Sequence, residues 1–264
     1  MTQPVTYAVD DRGVARVTLA RPEALNSLDL ATKEALTSTV ARAAGDAAAR
    51  VVVITGSGRA FCVGQDLREH AANLQTEPPE EVWATVPRHF SAIARTIATM
   101  AKPVVAAVNG VAAGAGASIA FACDFRLLAD TATFNLAFTG IGLSCDTGAS
   151  WTLPRLVGHA RAVELLMQPR TIGAADAVDL GLATRVVPAG ELDAAVDELA
   201  GRLAAGPTVA FGAVRRALAY AATHPLDDTL AYEGQLMALT GATEDHRRAV
   251  RAFLAKQRPE FHGH

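Results

Sequence analysis

The chain has 264 residues, of which 50% are hydrophobic, a length that suits one large α/β domain or one domain with a small appendage. Its formal charge of −3 and the lack of a basic cluster beyond Arg247-Arg248 argue against nucleic acid or anionic lipid as a partner. Three cysteines (Cys62, Cys123 and Cys145), an odd number without a Cys-x-x-Cys pair, argue against a disulfide framework and favour a reducing cytoplasm.

The chain begins MTQPV, without the basic start and apolar stretch of a secretory signal. We therefore expect an untargeted, cytoplasmic protein with no membrane association. The histidines near the end of the chain, His262 and His264, are too few for metal chemistry, so we expect no metal site.

The first part of the chain predicts alternating strands and helices. Residues 5–9 and 14–19 flank turn residues and predict an antiparallel hairpin. Asp29 is expected to cap a helix that runs to about residue 44, and residues 51–55 and 104–108 read as buried strands. A short helix then precedes strand-like residues 125–129 and 133–135. This alternation predicts an α/β fold with a largely parallel, covered sheet over residues 1–190.

The last third changes character. Helical patterns occupy residues 192–203, 209–222, 226–239 and 246–256, separated by glycine and proline. We predict that residues 191–264 form a helical appendage without a core of its own.

One segment predicts a strand that feeds a bare helix N-terminus. The apolar residues 103–108 are followed by Gly114, Ala115 and Gly116, which are too small to shield the first N–H groups of the next helix. An anion, or an oxygen that becomes one, is expected there. The alternatives are a membrane span and a dinucleotide-binding loop. Asn109 and three glycines after a proline argue against the span, and Ile119 replaces the third glycine of the loop.

A second glycine turn, AFCVGQDL at residues 60–67, follows the strand at residues 51–55. Two strand ends that each release backbone N–H groups could converge on one oxygen, which is the arrangement that stabilises an enolate or a tetrahedral oxyanion.

Four motifs in this order resemble the crotonase superfamily, the enoyl-CoA hydratase/isomerase family. They are RPEALNSL at residues 21–28, AFCVGQDL at 60–67, KPVVAAVNGVAAGAG at 102–116 and FLAKQRP at 253–259, and the likeness extends from about residue 5 to residue 261. The resemblance implies a spiral of ββα units, a C-terminal helical region that packs trimers or hexamers, and a coenzyme A thioester as ligand. It implies no cofactor beyond the coenzyme A moiety of the substrate.

By position in the family pattern, the oxyanion donors are the N–H groups of Gln65 and Ala115. The resemblance also implies a set of residues that contact the substrate or coenzyme A, of which the last two approach from a neighbouring subunit: Glu23, Ala24, Leu25, Val63, Gly64, Asp66, Leu67, Gly114, Phe138, Trp151, Phe253 and Lys256. From the residues alone, Asp66 is expected to fix its own turn, and Lys256 could either pair with a phosphate or be a surface cation.

The reaction depends on the acid and base groups. The two glutamates that the family uses to hydrate an enoyl thioester fall on Ser118 and Phe138, so ordinary hydratase activity is not expected. Asp146 instead resembles the single catalytic aspartate of the Δ3,Δ2-enoyl-CoA isomerase branch, which includes the ring-1,2-epoxyphenylacetyl-CoA isomerases. We expect a double-bond isomerase in which Phe138 and Trp151 desolvate Asp146 and raise its pKa.

Alternatives remain open at this stage. They are a hydratase with altered acid and base groups, a nucleophilic role for Asp146 as in 4-chlorobenzoyl-CoA dehalogenase, and a non-catalytic acyl-CoA-binding paralogue. Asp146 could also be only the N-cap of the helix that follows it. His70 and His89 are weaker candidates, and residues 68–100 are expected to line the acyl pocket.

Overall fold

The computed structural model describes residues 3–264, and its elements follow the predicted order closely. The strands are β1 Val5–Val9, β2 Val14–Leu19, β3 Val51–Gly56, β4 Ala60–Cys62, β5 Val104–Val108, β6 Val111–Ala113, β7 Phe125–Ala129, β8 Thr133–Asn135, β9 Thr171–Gly173 and β10 Arg185–Val187. The helices are α1 Leu30–Gly45, α2 Leu67–Thr76, α3 Pro79–Thr85, α4 Ser91–Thr99, α5 Ala115–Ala122, α6 Ala149–Val157, α7 His159–Met167, α8 Ala174–Asp179, α9 Leu192–Ala204, α10 Thr208–Ala221, α11 Leu226–Gly241 and α12 Glu244–Leu254.

Short turns complete the architecture. A π-helical turn, Val86–Phe90, joins α3 to α4, and 3₁₀ turns lie at Pro22–Ala24, Thr139–Ile141 and Ala189–Glu191. The predictions on the first two residues, Met1 and Thr2, lie outside the described part of the chain.

The strands form two sheets. A six-stranded sheet has the order β1-β2-β3-β5-β7-β10 and is parallel except at the β1–β2 hairpin. A four-stranded sheet has the order β4-β6-β8-β9, in which only β9 runs antiparallel. Three successive strand pairs, β3–β4, β5–β6 and β7–β8, each give one strand to each sheet and are followed by a helix. This repetition is the predicted ββα spiral.

The core lies between the large sheet and the helices. All five residues of β5 are buried, as the continuous apolar run predicted for a strand covered on both faces. All eight residues of α5 are buried too, and the small residues of its first turn allow close packing on β4. Gly116 is required there because a Cβ atom would lie 2.0 Å from the Cys62 carbonyl oxygen.

The C-terminal helices differ in their packing. Helix α9 packs on the large sheet, and its buried residues Leu192, Val196 and Ala200 belong to the main core. Helices α10–α12 instead expose large apolar side chains, among them Leu218, Met237 and Phe253. The division of the chain at residue 191 and the predicted trimer stay predictions. Among residues 3–264 there is no helix with the length and apolar character to cross a membrane.

Candidate active site

The first half of the site is the N-terminus of α5, where β6 ends. Gly114 adopts φ +50° and ψ −122°, a backbone conformation open to glycine but not to L side chains. The turn leaves α5 without a side-chain cap. Within residues 3–264, the N–H of Ala115 donates to no protein acceptor. The predicted bare helix N-terminus is therefore present.

The second half is the turn after β4. Gly64 has φ +83°, and the N–H of Gln65 has no acceptor in the described part of the chain. Strands β4 and β6 pair in parallel, so the turns that follow them lie side by side. A Cβ atom built on Gly64 would lie 3.2 Å from the Ala115 nitrogen. Two unpaired donors thus lie in adjoining turns, which can stabilise an oxyanion.

A largely apolar cavity of about 140 Å³ adjoins these donors. Its wall includes the predicted residues Val63, Gly64, Gln65, Leu67, Gly114, Ala115, Phe138 and Asp146. Residues 68–100, the segment expected to line the acyl pocket, supply His70, Trp83, Thr85, Val86 and Phe90 to this wall. The cavity can hold the acyl part of a ligand whose polar head reaches the two donors.

Asp146 is the one carboxylate among the residues that line this cavity. Burial raises its pKa, and the hydroxyl of Thr147, which donates to Asp146 Oδ1 at 2.7 Å, opposes that shift. Helix α6 begins at Ala149 after Gly148 and has no side-chain cap, so Asp146 is not its N-cap. A carboxyl group with a raised pKa beside an oxyanion site is suited to general acid–base chemistry.

Ser118 and Phe138 occupy the positions where the family pattern has glutamates. The Ser118 hydroxyl is buried and donates to the Gly114 carbonyl oxygen at 3.1 Å, which makes it a structural group. Phe138 is buried and faces the cavity 3.9 Å from where a Gly114 Cβ would lie. A second carboxylate is therefore absent from the described cavity wall.

Trp151 does not line the apolar cavity, where the sequence analysis expects it. Its indole lies under the Arg155 guanidinium, 3.9 Å from the ring centroid, and lines a groove between α4, α6 and α10. The i,i+4 spacing on α6 favours this stacking and holds the ring away from the apolar cavity. The expectation that Trp151 desolvates Asp146 is thus wrong for this arrangement, whereas Phe138 does line the cavity beside Asp146.

The two candidate histidines lie in different surroundings. His70 lines the apolar cavity and its ring centroid is 5.4 Å from that of Trp83. His89 lies in an adjacent polar cavity with Thr85, and burial followed by the Lys33 charge lowers the pKa of His89. Only His70 can meet a ligand in the apolar cavity.

The residues expected to contact coenzyme A lie in three places. Glu23, Ala24 and Leu25 form an exposed to half-buried turn near the start of α1. Asp66 caps α2 through the N–H groups of Arg68 and Glu69, which confirms that it fixes its own turn. Phe253 and Lys256 are exposed at the end of α12, apart from the cavity wall of their own chain.

Sequence reasoning missed two side chains, Lys33 and Thr147. The Lys33 ammonium group is buried, 3.4 Å from both Gln65 Oε1 and Glu69 Oε2. The helical spacing of α1 could have predicted this burial, because Lys33 lies on the same face as the buried Leu36 and Val40. Thr147 has φ +52°, and no sequence signal predicts that conformation for a β-branched residue.

Comparisons with known proteins agree with this geometry. A family model described as enoyl-CoA hydratase/isomerase matches residues 10–264. A Rhodobacter capsulatus protein named "Probable enoyl-CoA hydratase" is 42% identical over 262 residues, 98% of each chain. The 1,2-epoxyphenylacetyl-CoA isomerase of Escherichia coli is 38% identical over 253 residues, 96% of each chain. A crystal structure from Mycobacterium abscessus, described as an enoyl-CoA hydratase/isomerase, shares 42% identity with a TM-score of 0.94 and covers 98% of this chain and 100% of its own.

Proposed function

Because the chain belongs to the enoyl-CoA hydratase/isomerase family, we propose that it is an acyl-CoA isomerase that shifts a double bond with Asp146 as its single proton shuttle. One observation carries the choice of isomerase. Among residues 3–264, one carboxylate lines the cavity beside the Gln65 and Ala115 N–H groups, and Ser118 and Phe138 replace the pair that positions water for hydration.

The proposed reaction requires only proton transfer. The thioester oxygen accepts hydrogen bonds from the N–H groups of Gln65 and Ala115, which stabilise a dienolate when Asp146 removes a proton from the carbon beside the carbonyl. Asp146 then returns the proton two carbons away. Burial raises the pKa of Asp146, which makes its carboxylate a stronger base. No cofactor beyond the coenzyme A moiety is needed.

The cavity also suggests the size of the acyl group. Its volume of about 140 Å³ is close to that of an engineered apolar cavity that holds benzene, about 150 Å³. The aromatic side chains of Trp83, Phe90 and Phe138 line it. We expect short or ring-bearing acyl groups, and the 38% identity to 1,2-epoxyphenylacetyl-CoA isomerase supports the latter.

We further propose that the chain acts in the cytoplasm as a trimer or hexamer. The support for assembly is the set of exposed apolar side chains on α10–α12, since an exposed apolar face of this kind marks an interaction surface. Light scattering on the purified protein would give the mass of the assembly.

The function is tested by giving the enzyme trans-3-hexenoyl-CoA and following the products by mass spectrometry and NMR. Wild type should form the 2-enoyl isomer, and Asp146→Asn should lose about 10²–10⁴-fold in kcat because general acid–base catalysis contributes that much. Asp11→Asn, at an exposed turn, is the control and should match wild type. With trans-2-hexenoyl-CoA as a second substrate, accumulation of 3-hydroxyhexanoyl-CoA would show a hydratase. A covalent adduct on Asp146 would show a nucleophile, and binding of both thioesters without turnover a non-catalytic paralogue.

A further inference from the structure

Thr147 has a backbone conformation that its side chain disfavours. Its φ is +52°, in the left-handed region that suits glycine, and the residue is β-branched and 1% exposed. Gly148 follows with φ +76°. A residue in such a conformation costs about 1–3 kcal/mol and persists only where other contacts hold it, and such residues concentrate at active sites.

The hydrogen bonds at and across Thr147 converge on Asp146. The Thr147 hydroxyl donates to Asp146 Oδ1 at 2.7 Å, and the N–H of Ala149 donates to the Asp146 backbone carbonyl at 2.9 Å. The other carboxylate oxygen, Oδ2, accepts no hydrogen bond from any group within residues 3–264. One oxygen of the carboxylate is therefore held and the other is free for a ligand.

We infer that Thr147 is a positioning residue: its hydroxyl fixes Oδ1 of Asp146 so that Oδ2 carries the proton between the two carbons of the substrate. The inference rests on the proposed function, in which Asp146 is the proton shuttle. The side-chain torsion that turns a carboxylate plane is broad, so without this hydrogen bond either oxygen could face the substrate in many orientations. A shuttle must reach two carbons in turn, and a fixed carboxylate plane serves that purpose.

The Thr147 hydroxyl also affects the pKa of the Asp146 carboxyl group. Among the titratable and charged groups, His70 on α2 lines the same cavity as Asp146, and Cys145 precedes Asp146 in the chain. Arg95 and Arg155 line two neighbouring grooves that share Trp151. The pKa of Asp146 is set by burial, which raises it, and by the Thr147 hydrogen bond, which lowers it. Loss of the hydroxyl should therefore raise this pKa further and weaken the supply of the basic form at neutral pH.

The test compares Thr147→Val, which keeps the branched shape without the hydroxyl, with Thr147→Ser, which keeps the hydroxyl. The readouts are the pH profile of kcat with trans-3-hexenoyl-CoA and the pKa of Asp146 in protein labelled with ¹³C-aspartate. In Thr147→Val we expect kcat to fall about tenfold or more, the size expected for a hydrogen bond to a charged group. We also expect the acid limb of the profile and the carboxyl pKa to move to higher pH, with KM unchanged. Thr147→Ser should restore all of these.

The Thr147→Gly variant distinguishes the effect of losing the hydroxyl from the effect of backbone strain. Glycine takes φ +52° without strain, and this relief offsets part of the packing lost with the buried side chain, so the variant should fold and still show the lowered kcat and the shifted pKa. A Thr147→Gly or Thr147→Val enzyme with the wild-type pH profile and the wild-type carboxyl pKa would overturn the inference. If that occurs while Asp146→Asn is inactive, only the role of Thr147 falls. If Asp146→Asn keeps the wild-type rate, the proposed isomerase and the role of Thr147 fall together.

Discussion

Asp146 lies in surroundings that favour its neutral form. The residue lines an apolar cavity, and burial raises its pKa above the ordinary value of 3.8. The folded protein therefore binds this proton more tightly than the unfolded chain does. The stability that results is fully present below the ordinary pKa and declines as the pH rises through the raised one. The raised pKa that suits this group to act as a base at neutral pH therefore lowers the stability of the folded protein at that pH.

Asp146→Asn should for this reason raise the melting temperature at pH 7 to 8. Asparagine is neutral at every pH and can still accept the Thr147 hydrogen bond through its carbonyl oxygen, so the side-chain packing is kept. The gain should shrink as the pH falls and vanish below about pH 3.8, where Asp146 is protonated in both states. Differential scanning calorimetry across this range measures it. A lower melting temperature for the variant at neutral pH would contradict the argument.

Gly64 allows the two donors to approach each other. Its φ is +83°, and a Cβ atom would lie 2.9 Å from the Ala113 carbonyl oxygen. Gly64→Ala should therefore lower the free energy of unfolding by about 1–3 kcal/mol. It should also reduce kcat by about 10²–10³, the loss that follows removal of one oxyanion donor. Urea denaturation and steady-state kinetics measure the two effects, with Gly190→Ala, which meets no atom within 4 Å, as the control.

Elements whose signals are local were predicted well. The hairpin strands and strands β5, β7 and β8 match their predicted bounds, because each is a short apolar or alternating run between turn residues. The π-helical turn Val86–Phe90 has no such signal, since its hydrogen-bond register depends on packing rather than composition. Likewise, the glycines predicted the two turns, and the family resemblance assigned Gln65 and Ala115 as the donors within them. The left-handed Thr147 and the stacking of Trp151 on Arg155 depend instead on tertiary contacts.

The cap of α1 illustrates a local signal with a measurable effect. Asp29 accepts hydrogen bonds from the Thr32 N–H at 2.9 Å and the Thr32 hydroxyl at 2.6 Å, and it pairs with Arg21 at 3.0 Å. Asp29→Ala should reduce the free energy of unfolding by about 1 kcal/mol, as loss of an N-cap typically does. Glu191→Ala is the matched control, because Glu191 precedes α9 without a capping bond and should change stability by less than about 0.5 kcal/mol. Equal effects in the two variants would count against the cap.

At the scale of the whole molecule, Arg50 fastens the end of the chain to the α/β core. Its guanidinium donates to Gly206 O at 2.7 Å, Phe261 O at 3.0 Å and Thr208 Oγ1 at 3.1 Å. These acceptors lie at the start of α10 and in the C-terminal tail. The C-terminal helices are therefore attached to the core through Arg50 and through Arg215 of α10, whose guanidinium pairs with Asp124 at 2.8 Å, as well as through the buried face of α9.

Arg50→Met should lower the free energy of unfolding by about 2 kcal/mol or more, since hydrogen bonds to a charged group are worth about 1.5–3 kcal/mol each. The C-terminal tail should also exchange its amide hydrogens faster, which hydrogen exchange with mass spectrometry detects. Arg170→Met removes an exposed ion pair with Asp176 and should have little effect on either measurement. Unchanged exchange in the tail of the Arg50 variant would show that other contacts hold this region, such as the hydrogen bonds from the His262 and Gly263 N–H groups to Asp245.

The π-helical turn Val86–Phe90 has a consequence for how this enzyme could diversify. A π turn holds one residue more than an α-helical turn, and each residue of a helix corresponds to about 100° of rotation. Deletion of one codon in this stretch would merge α3 with α4 and swing Trp83 out of the cavity wall. This deletion would leave the positions of Gln65, Ala115 and Asp146 unchanged, since these residues lie outside the segment from α3 to α4. Descendants of this gene could thus acquire new acyl preferences through a single small deletion while inheriting the reaction intact.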